Sequence, residues 1–147
     1  MRRLTAAERE AFLSEPHIAT VCVVAGNSRP PLATPIWYHY RSGGDLTFFT
    51  GTQGRRARKT SLIERAGMVT VSVQTGELPY KYVTVEGTVV KADRPPSDEQ
   101  MLAVVRRYMP EEAAAQFVAS ELADPSPSLV LYTVRPDRWL SGDFSDG

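Results

Sequence analysis

Cysteine is almost missing from this chain. Cys22 is the only one, which excludes an internal disulfide framework. It lies within the apolar run His17 to Ala25 and reads as a buried, inert thiol rather than a nucleophile. Histidine is nearly as scarce: His17 and His39, with a single cysteine, cannot furnish a zinc site, so no metal is expected. Neither sign of charge dominates. Lys and Arg together number 17, as do Asp and Glu, so no global field draws the protein to nucleic acid. No stretch is apolar enough to span a bilayer, and no membrane partner is expected. Arg2 and Arg3 are followed by polar and acidic residues instead of an apolar core segment, so the N-terminus does not read as a signal peptide and the expected location is cytoplasmic. The chain has no Ser-His-Asp or Cys-His constellation with a recognisable local signature and no G-x-x-x-x-G-K-S/T loop. The sequence therefore designates no catalytic residue. Internal repeats and low-complexity segments are also absent.

What is present is enough for one ordinary domain. The chain has 147 residues, of which 42% are hydrophobic, so it can bury a core of its own. Thr5 and Glu8 form a capping box ahead of a short amphipathic helix, Ala6 to Leu13, which Pro16 ends. His17 to Ala25 is a rich β run. After the turn Gly26 to Pro30, Leu32 to Tyr40 predicts a second strand. Pro35 cannot donate to a ladder, so a bulge or an open side is expected there. Ser42-Gly43-Gly44-Asp45 turns the chain into a third strand, Leu46 to Thr50, and the three strands read as an antiparallel meander. Met68 to Gln74 alternates strictly: Val69, Val71 and Val73 share one face, and Met68, Thr70, Ser72 and Gln74 the other. Tyr80 to Ala92 predicts a long fifth strand, with Gly87 marking a bulge or barrel corner. Ser97 and Gln100 form a second capping box, for a helix running to about Met109. Pro110 opens another helix, Glu111 to Leu122, and Asp124-Pro125-Ser126-Pro127 breaks it. Leu129 to Val134 predicts a last strand. The polar tail after it carries Trp139 and Phe144, large apolar groups expected to dock on this core or on a partner. Six strands with short turns, a small helix after the third and a helical pair before the last imply a small β-barrel of mainly β, α+β type. Such a sheet closes on itself or covers its faces by dimerising.

The stretch T-G-T-Q-G-R-R-A-R-K, Thr50 to Lys59, stands apart. It connects the third strand to a predicted helix, Ala57 to Ala66, and Gly51 and Gly54 loosen it. Arg55, Arg56, Arg58 and Lys59 then follow within five positions. A helix start next to a guanidinium cluster forms an anion site for a phosphate or polycarboxylate tail; the plainer reading is a solvated basic turn. Trp37, Tyr38, Tyr80 and Tyr82 could form a platform for a flat ring, although aromatic residues on strands are also ordinary core material. His39 between two tyrosines could shuttle a proton, or serve structure alone. Glu86 reads as a satisfied or solvated carboxylate. An anion-binding loop near aromatic strands suits a flat cofactor with a phosphate tail.

The order of four segments resembles the pyridoxamine 5'-phosphate oxidase-like split β-barrel family, whose members bind flavin or deazaflavin. The segments are A-T-P-I-W-Y-H-Y (Ala33 to Tyr40), F-F-T-G with the basic loop and K-T-S-L-I-E-R-A-G (Lys59 to Gly67), P-Y-K-Y-V-T-V-E-G (Pro79 to Gly87) and R-P-D-R-W-L-S-G-D (Arg135 to Asp143). The resemblance covers most of the chain. It implies a six-stranded antiparallel split β-barrel spanning residues 1–147 as a single cofactor-binding domain. It also implies a homodimer with two cofactors, coenzyme F420 or FMN, at the subunit interface. By the same resemblance Thr50, Gly51, Arg56, Arg58 and Lys59 contact the phosphate or tail. Pro35, Ile36 and Trp37 lie by the ring with Gln74 nearby, and Trp139 closes the site from the partner subunit. The basic loop suits the longer anionic tail of the deazaflavin. No pyridoxamine-phosphate substrate signature is found, so vitamin B6 oxidation is not expected. The implied activity is an oxidoreductase passing hydride to a small unsaturated or quinone-like molecule. A non-catalytic flavin-binding carrier or sensor stands beside it, as does a structural barrel without cofactor.

Overall fold

The computed structural model describes residues 1–125 and 128–145. Strands β1 (Ala19–Val23), β2 (Leu32–Ile36), β3 (His39–Tyr40), β4 (Leu46–Gly51), β5 (Met68–Gln74), β6 (Lys81–Asp93) and β7 (Leu129–Asp143) build one sheet. Their order is β2-β1-β5-β6-β7-β4-β3, and all pairings are antiparallel. β2 and β3 are the two edges, yet only Trp37 and Tyr38 separate them in sequence. Chain continuity therefore forces the sheet to curl until its edges meet at one corner. The result is the expected split barrel. It has seven strands where six were expected, because the predicted strand Leu32 to Tyr40 breaks at Trp37-Tyr38 and contributes to both edges. Pro35 lies on edge strand β2, paired with Thr20, the kind of position at which a residue without an N–H is tolerated.

The core follows from the period-two pattern. Val69, Val71 and Val73 are buried while Met68 and Gln74 are exposed; each valine so buried contributes on the order of 1.5–3 kcal/mol. Val21, Leu46, Phe48, Val83, Val85 and Tyr132 fill the same interior. Helix α1 (Ala6–Ser14), held by the Thr5–Glu8 capping box, adds Phe12 and Leu13. Helix α2 (Arg56–Ala66) follows the basic loop and inserts Ile63. A second apolar cluster joins α3 (Asp98–Val105) and α4 (Glu111–Leu122) through Met101, Val105, Ala114 and Val118, with Trp37, Phe49 and Phe117 against it.

Two expectations change. β7 does not stop at Val134 but runs to Asp143, so the supposed tail is a strand paired with β6 along its length. Its polar sequence is tolerated because β6 supplies the ladder. The register slips where Gly87 faces Pro136, which lets a residue without an N–H sit in the strand at a bulge. A Cβ on Gly87 would stand 2.4 Å from Val134 Cγ1 and 2.7 Å from the Arg135 carbonyl oxygen, so this crossing requires glycine. Trp139 accordingly docks on its own chain, edge-to-face with Tyr40 at 6.0 Å and under the Arg9 guanidinium at 4.3 Å. The helix from Ser97 ends at Val105 instead of Met109, and a turn carries the chain to Pro110. Of the predicted breaker, Ser126 and Pro127 lie outside the described residues, as do Asp146 and Gly147. Among the described residues no helix is long and apolar enough to cross a membrane.

Candidate functional site

A hollow of about 520 Å³ opens where the sheet edges meet, a volume in the range of small-molecule sites. Edge strand β2 gives it Leu32, Thr34, Pro35 and Ile36, the corner gives Trp37, and Ile18 borders it just before β1. The end of β4 contributes Phe49, Thr50 and Gly51, and α4 contributes Phe117. Arg55, the N-cap of α2, and Arg56 and Lys59 from its first turn form the remaining side. One part of the wall is thus apolar and aromatic, and the other is cationic.

The cationic side is arranged against the helix's own electrostatics. The N-terminus of a helix carries partial positive charge and favours anions, by about 0.3–1 kcal/mol per charge at exposed positions. Yet α2 has no acidic residue in its first turn and no side-chain cap. Among the described residues none of Arg55, Arg56, Arg58 and Lys59 forms a salt bridge. Burial, and then the neighbouring Arg56 guanidinium, hold the Lys59 ammonium below the ordinary lysine pKa. An anion received here would relieve both the dipole and the mutual repulsion.

Two further details suit a ligand. The Thr50 side chain is only 5% exposed, and its Oγ1 is buried without a hydrogen-bond partner. Leaving such a group unpaired costs about 1–3 kcal/mol, a cost that a polar ligand atom would remove. At Gly51 a Cβ would lie 2.6 Å from Arg56 Cδ, so glycine lets the Arg56 side chain cross over the strand end. A second hollow of about 500 Å³ is lined by Gly51, Gln53, Arg55, Arg56 and Ser128. The two hollows share Gly51, Arg55 and Arg56.

Seven of the ten residues picked from sequence meet in the first hollow: Pro35, Ile36, Trp37, Thr50, Gly51, Arg56 and Lys59. Three do not reach it within one chain. Arg58 is half-buried on α2, Gln74 is exposed at the end of β5, and Trp139 borders a separate hollow with Arg9 and Tyr40. Of the four aromatics proposed as a platform, Trp37 alone lines the hollow; Tyr38 is wholly buried and Tyr80 is exposed elsewhere. His39 lies outside it, its imidazole pKa lowered by burial and then by Arg107. Arg55, named in the basic cluster though not among those ten, also lines it, whereas sequence reasoning missed Ile18, Leu32, Thr34, Phe49 and Phe117. Thr34 belongs to the A-T-P-I-W segment, but no local signal marks Phe117 as part of a site.

A family model described as pyridoxamine 5'-phosphate oxidase matches residues 5–141. Among solved structures, one named F420 reductase aligns with 22% identity over 89% of this chain and 94% of its own, at a TM-score of 0.69. A conserved hypothetical protein from Mycobacterium tuberculosis aligns with 18% identity over 96% and 86%, at a TM-score of 0.75. A FAD-binding protein from Mesorhizobium loti aligns with 17% identity over 95% of each chain, at a TM-score of 0.61. At these identities the likeness is one of fold. No protein of curated function matches by sequence.

Proposed function

The chain belongs to the pyridoxamine 5'-phosphate oxidase family, and from that premise we propose that it is an oxidoreductase whose hollow holds a flavin-type cofactor and serves hydride transfer to a small unsaturated or quinone-like molecule. The observation that carries this reading is the division of one hollow into an apolar, aromatic wall and a set of cations without carboxylate partners. The orphaned Thr50 hydroxyl supports it. Arg56 and Lys59 hold the anionic tail, Thr50 and Gly51 receive its polar atoms, and Pro35, Ile36 and Trp37 flank the ring. A bound flavin or deazaflavin supplies the hydride chemistry, while the protein supplies position and electrostatics. Neither carboxylate nor imidazole lines the hollow among the described residues, so the proton that accompanies the hydride is assigned to solvent or the cofactor rather than to such a group. Arg58 and Gln74 act at the margin of the site. The proposal includes a homodimer in which Trp139 closes the site from the second subunit.

Between coenzyme F420 and FMN, the second hollow favours F420. That hollow shares Gly51, Arg55 and Arg56 with the first and adds Gln53 and Ser128, so a tail carrying charge past its phosphate has polar groups to continue along. A second reading, a flavin-binding carrier or sensor without turnover, is favoured by the same lack of a carboxylate or imidazole along the hollow among the described residues. Fluorescence-quench titration of cofactor-free protein with FMN and with F420 tests the proposal. Tighter F420 binding supports the full reading, and tighter FMN binding moves the protein to the flavin branch. Binding without turnover on a panel of reductants and acceptors selects the carrier, and binding of neither cofactor refutes both readings.

A further inference from the structure

The corner that joins the two sheet edges is gripped from the turn after α3. The Trp37 indole stacks on the Tyr108 ring, with centroids 4.9 Å apart and planes 8° from parallel. The Tyr108 hydroxyl donates to the His17 carbonyl at 2.7 Å and accepts the Tyr38 backbone N–H at 3.2 Å. Tyr38, beside it, lies under the Arg107 guanidinium at 4.5 Å, and its hydroxyl donates to the Leu13 carbonyl at 3.0 Å. Arg107 in turn donates to the carbonyls of Leu13 and Glu15 at 2.9 and 2.7 Å. Trp37 lines the hollow, whereas Tyr108 does not. Tyr108 therefore acts on the hollow indirectly: its bond to the His17 carbonyl holds the backbone ahead of Ile18, and its main hold is on Trp37. It holds Trp37 twice, through the indole by stacking and through the backbone by the hydrogen bond at Tyr38.

We propose that Tyr108 is the positioning residue of the site: by fixing the Trp37 indole in one orientation it presents a preformed aromatic wall to a flat ring. This rests on the reading of the hollow as a ring site. The physical case is preorganisation. An indole attached to a two-residue corner has two free side-chain torsions and a backbone without ladder support, and a ring ligand would have to order both on binding. A parallel stack and a shared hydrogen bond complete that ordering in advance. Phe117 touches Trp37 from α4 at 6.2 Å but at 51°, so it limits the indole's travel without defining its plane. The cations stand on another side of the hollow, so the anion end is independent of Tyr108.

The fluorescence arm uses a Trp139→Phe background, which leaves Trp37 as the sole tryptophan; the binding arms use the natural sequence, because Trp139 is itself placed at the site. Without ligand, Tyr108→Leu is expected to red-shift Trp37 emission and raise its quenching by acrylamide, whereas Tyr108→Phe, which keeps the ring, retains most of the parent signal. With ligand, Tyr108→Leu is expected to weaken FMN binding by about two- to tenfold, an aromatic-pair energy expressed as a ratio. Binding of inorganic phosphate, a probe with no ring, stays within error of the parent. Tyr108→Met repeats the test if the leucine variant does not fold. Unchanged Trp37 emission and quenching in the folded variant overturn the proposal. So does an equal loss of FMN and phosphate binding with a lowered melting temperature, which marks a merely structural role. If the parent protein binds neither FMN nor F420, the cofactor reading fails, and the ligand-free emission still decides whether Tyr108 positions Trp37.

Discussion

Replacing Lys59 by alanine separates an anion site from a solvated basic turn. Lys59 stands in the first turn of α2, half-buried, beside Arg56 and with no salt bridge among the described residues. Its removal breaks no ion pair and leaves no buried partner unsatisfied. It also relieves a like-charge contact at a helix end that disfavours cations, and alanine has the better helix propensity. The melting temperature of the ligand-free protein is therefore expected to hold or rise. Binding moves the other way. A hydrogen bond to a charged group contributes about 1.5–3 kcal/mol, so the Kd for FMN rises by about tenfold to a little over a hundredfold. The lower end is expected, because the ammonium retains some solvent screening. The pH dependence has a definite sign. Burial and Arg56 lower the Lys59 pKa in the folded, ligand-free protein. The charged form therefore costs stability below that lowered pKa, and the cost disappears as pH rises past the unfolded value. A bound anion retains the ammonium, so binding takes up protons, and affinity falls as pH rises through the lowered pKa. Titration of parent and variant at several pH values, with melting curves alongside, checks all three points. A folded Lys59→Ala protein with Kd within about twofold of the parent would remove Lys59 from the site and return the loop to a solvated turn.

Arg55→Ala is expected to weaken F420 more than FMN, because Arg55 also lines the second hollow; equal losses would show that no tail extends there. Gly87→Ala places a methyl 2.4 Å from Val134 and 2.7 Å from a backbone carbonyl. It should destabilise the barrel by at least about 1–3 kcal/mol in denaturant melts, and a neutral result would mean that β6 and β7 cross more loosely than described. Ser97→Ala removes the hydroxyl that accepts the Gln100 N–H at 3.1 Å. It should cost about 1 kcal/mol by the same assay, without altering FMN affinity in ligand-saturated protein.

Much of this architecture is legible in local sequence because local physics decides it. The alternation of Met68 to Gln74 fixes which face of β5 is buried, and both capping boxes form as spelled. Gly87 lies at a register shift because only glycine fits beneath Val134 and Arg135. The break at Trp37-Tyr38 is not legible, because I-W-Y-H-Y is rich in strand-forming residues and carries no turn residue. Only closure of the sheet requires a corner there. The polar run Arg135 to Asp143 hides a strand, since β6 rather than its own composition supplies the pairing. The site divides in the same way. Its cations and the P-I-W segment are contiguous in sequence and can be found by reading. Phe117, like Tyr108 behind Trp37, is about 70–80 residues from the corner it serves and comes to it only through the packing of α3 and α4.

The most direct test of the central claim is amide and indole NMR of the isotopically labelled protein during titration with FMN and with F420. The account predicts that resonances of Ile36, Trp37, Thr50, Gly51, Arg56 and Lys59 shift together and saturate at one Kd, the Trp37 indole N–H among them. Shifts confined to the outer face of β5 and β6, or none at saturating ligand, would contradict it.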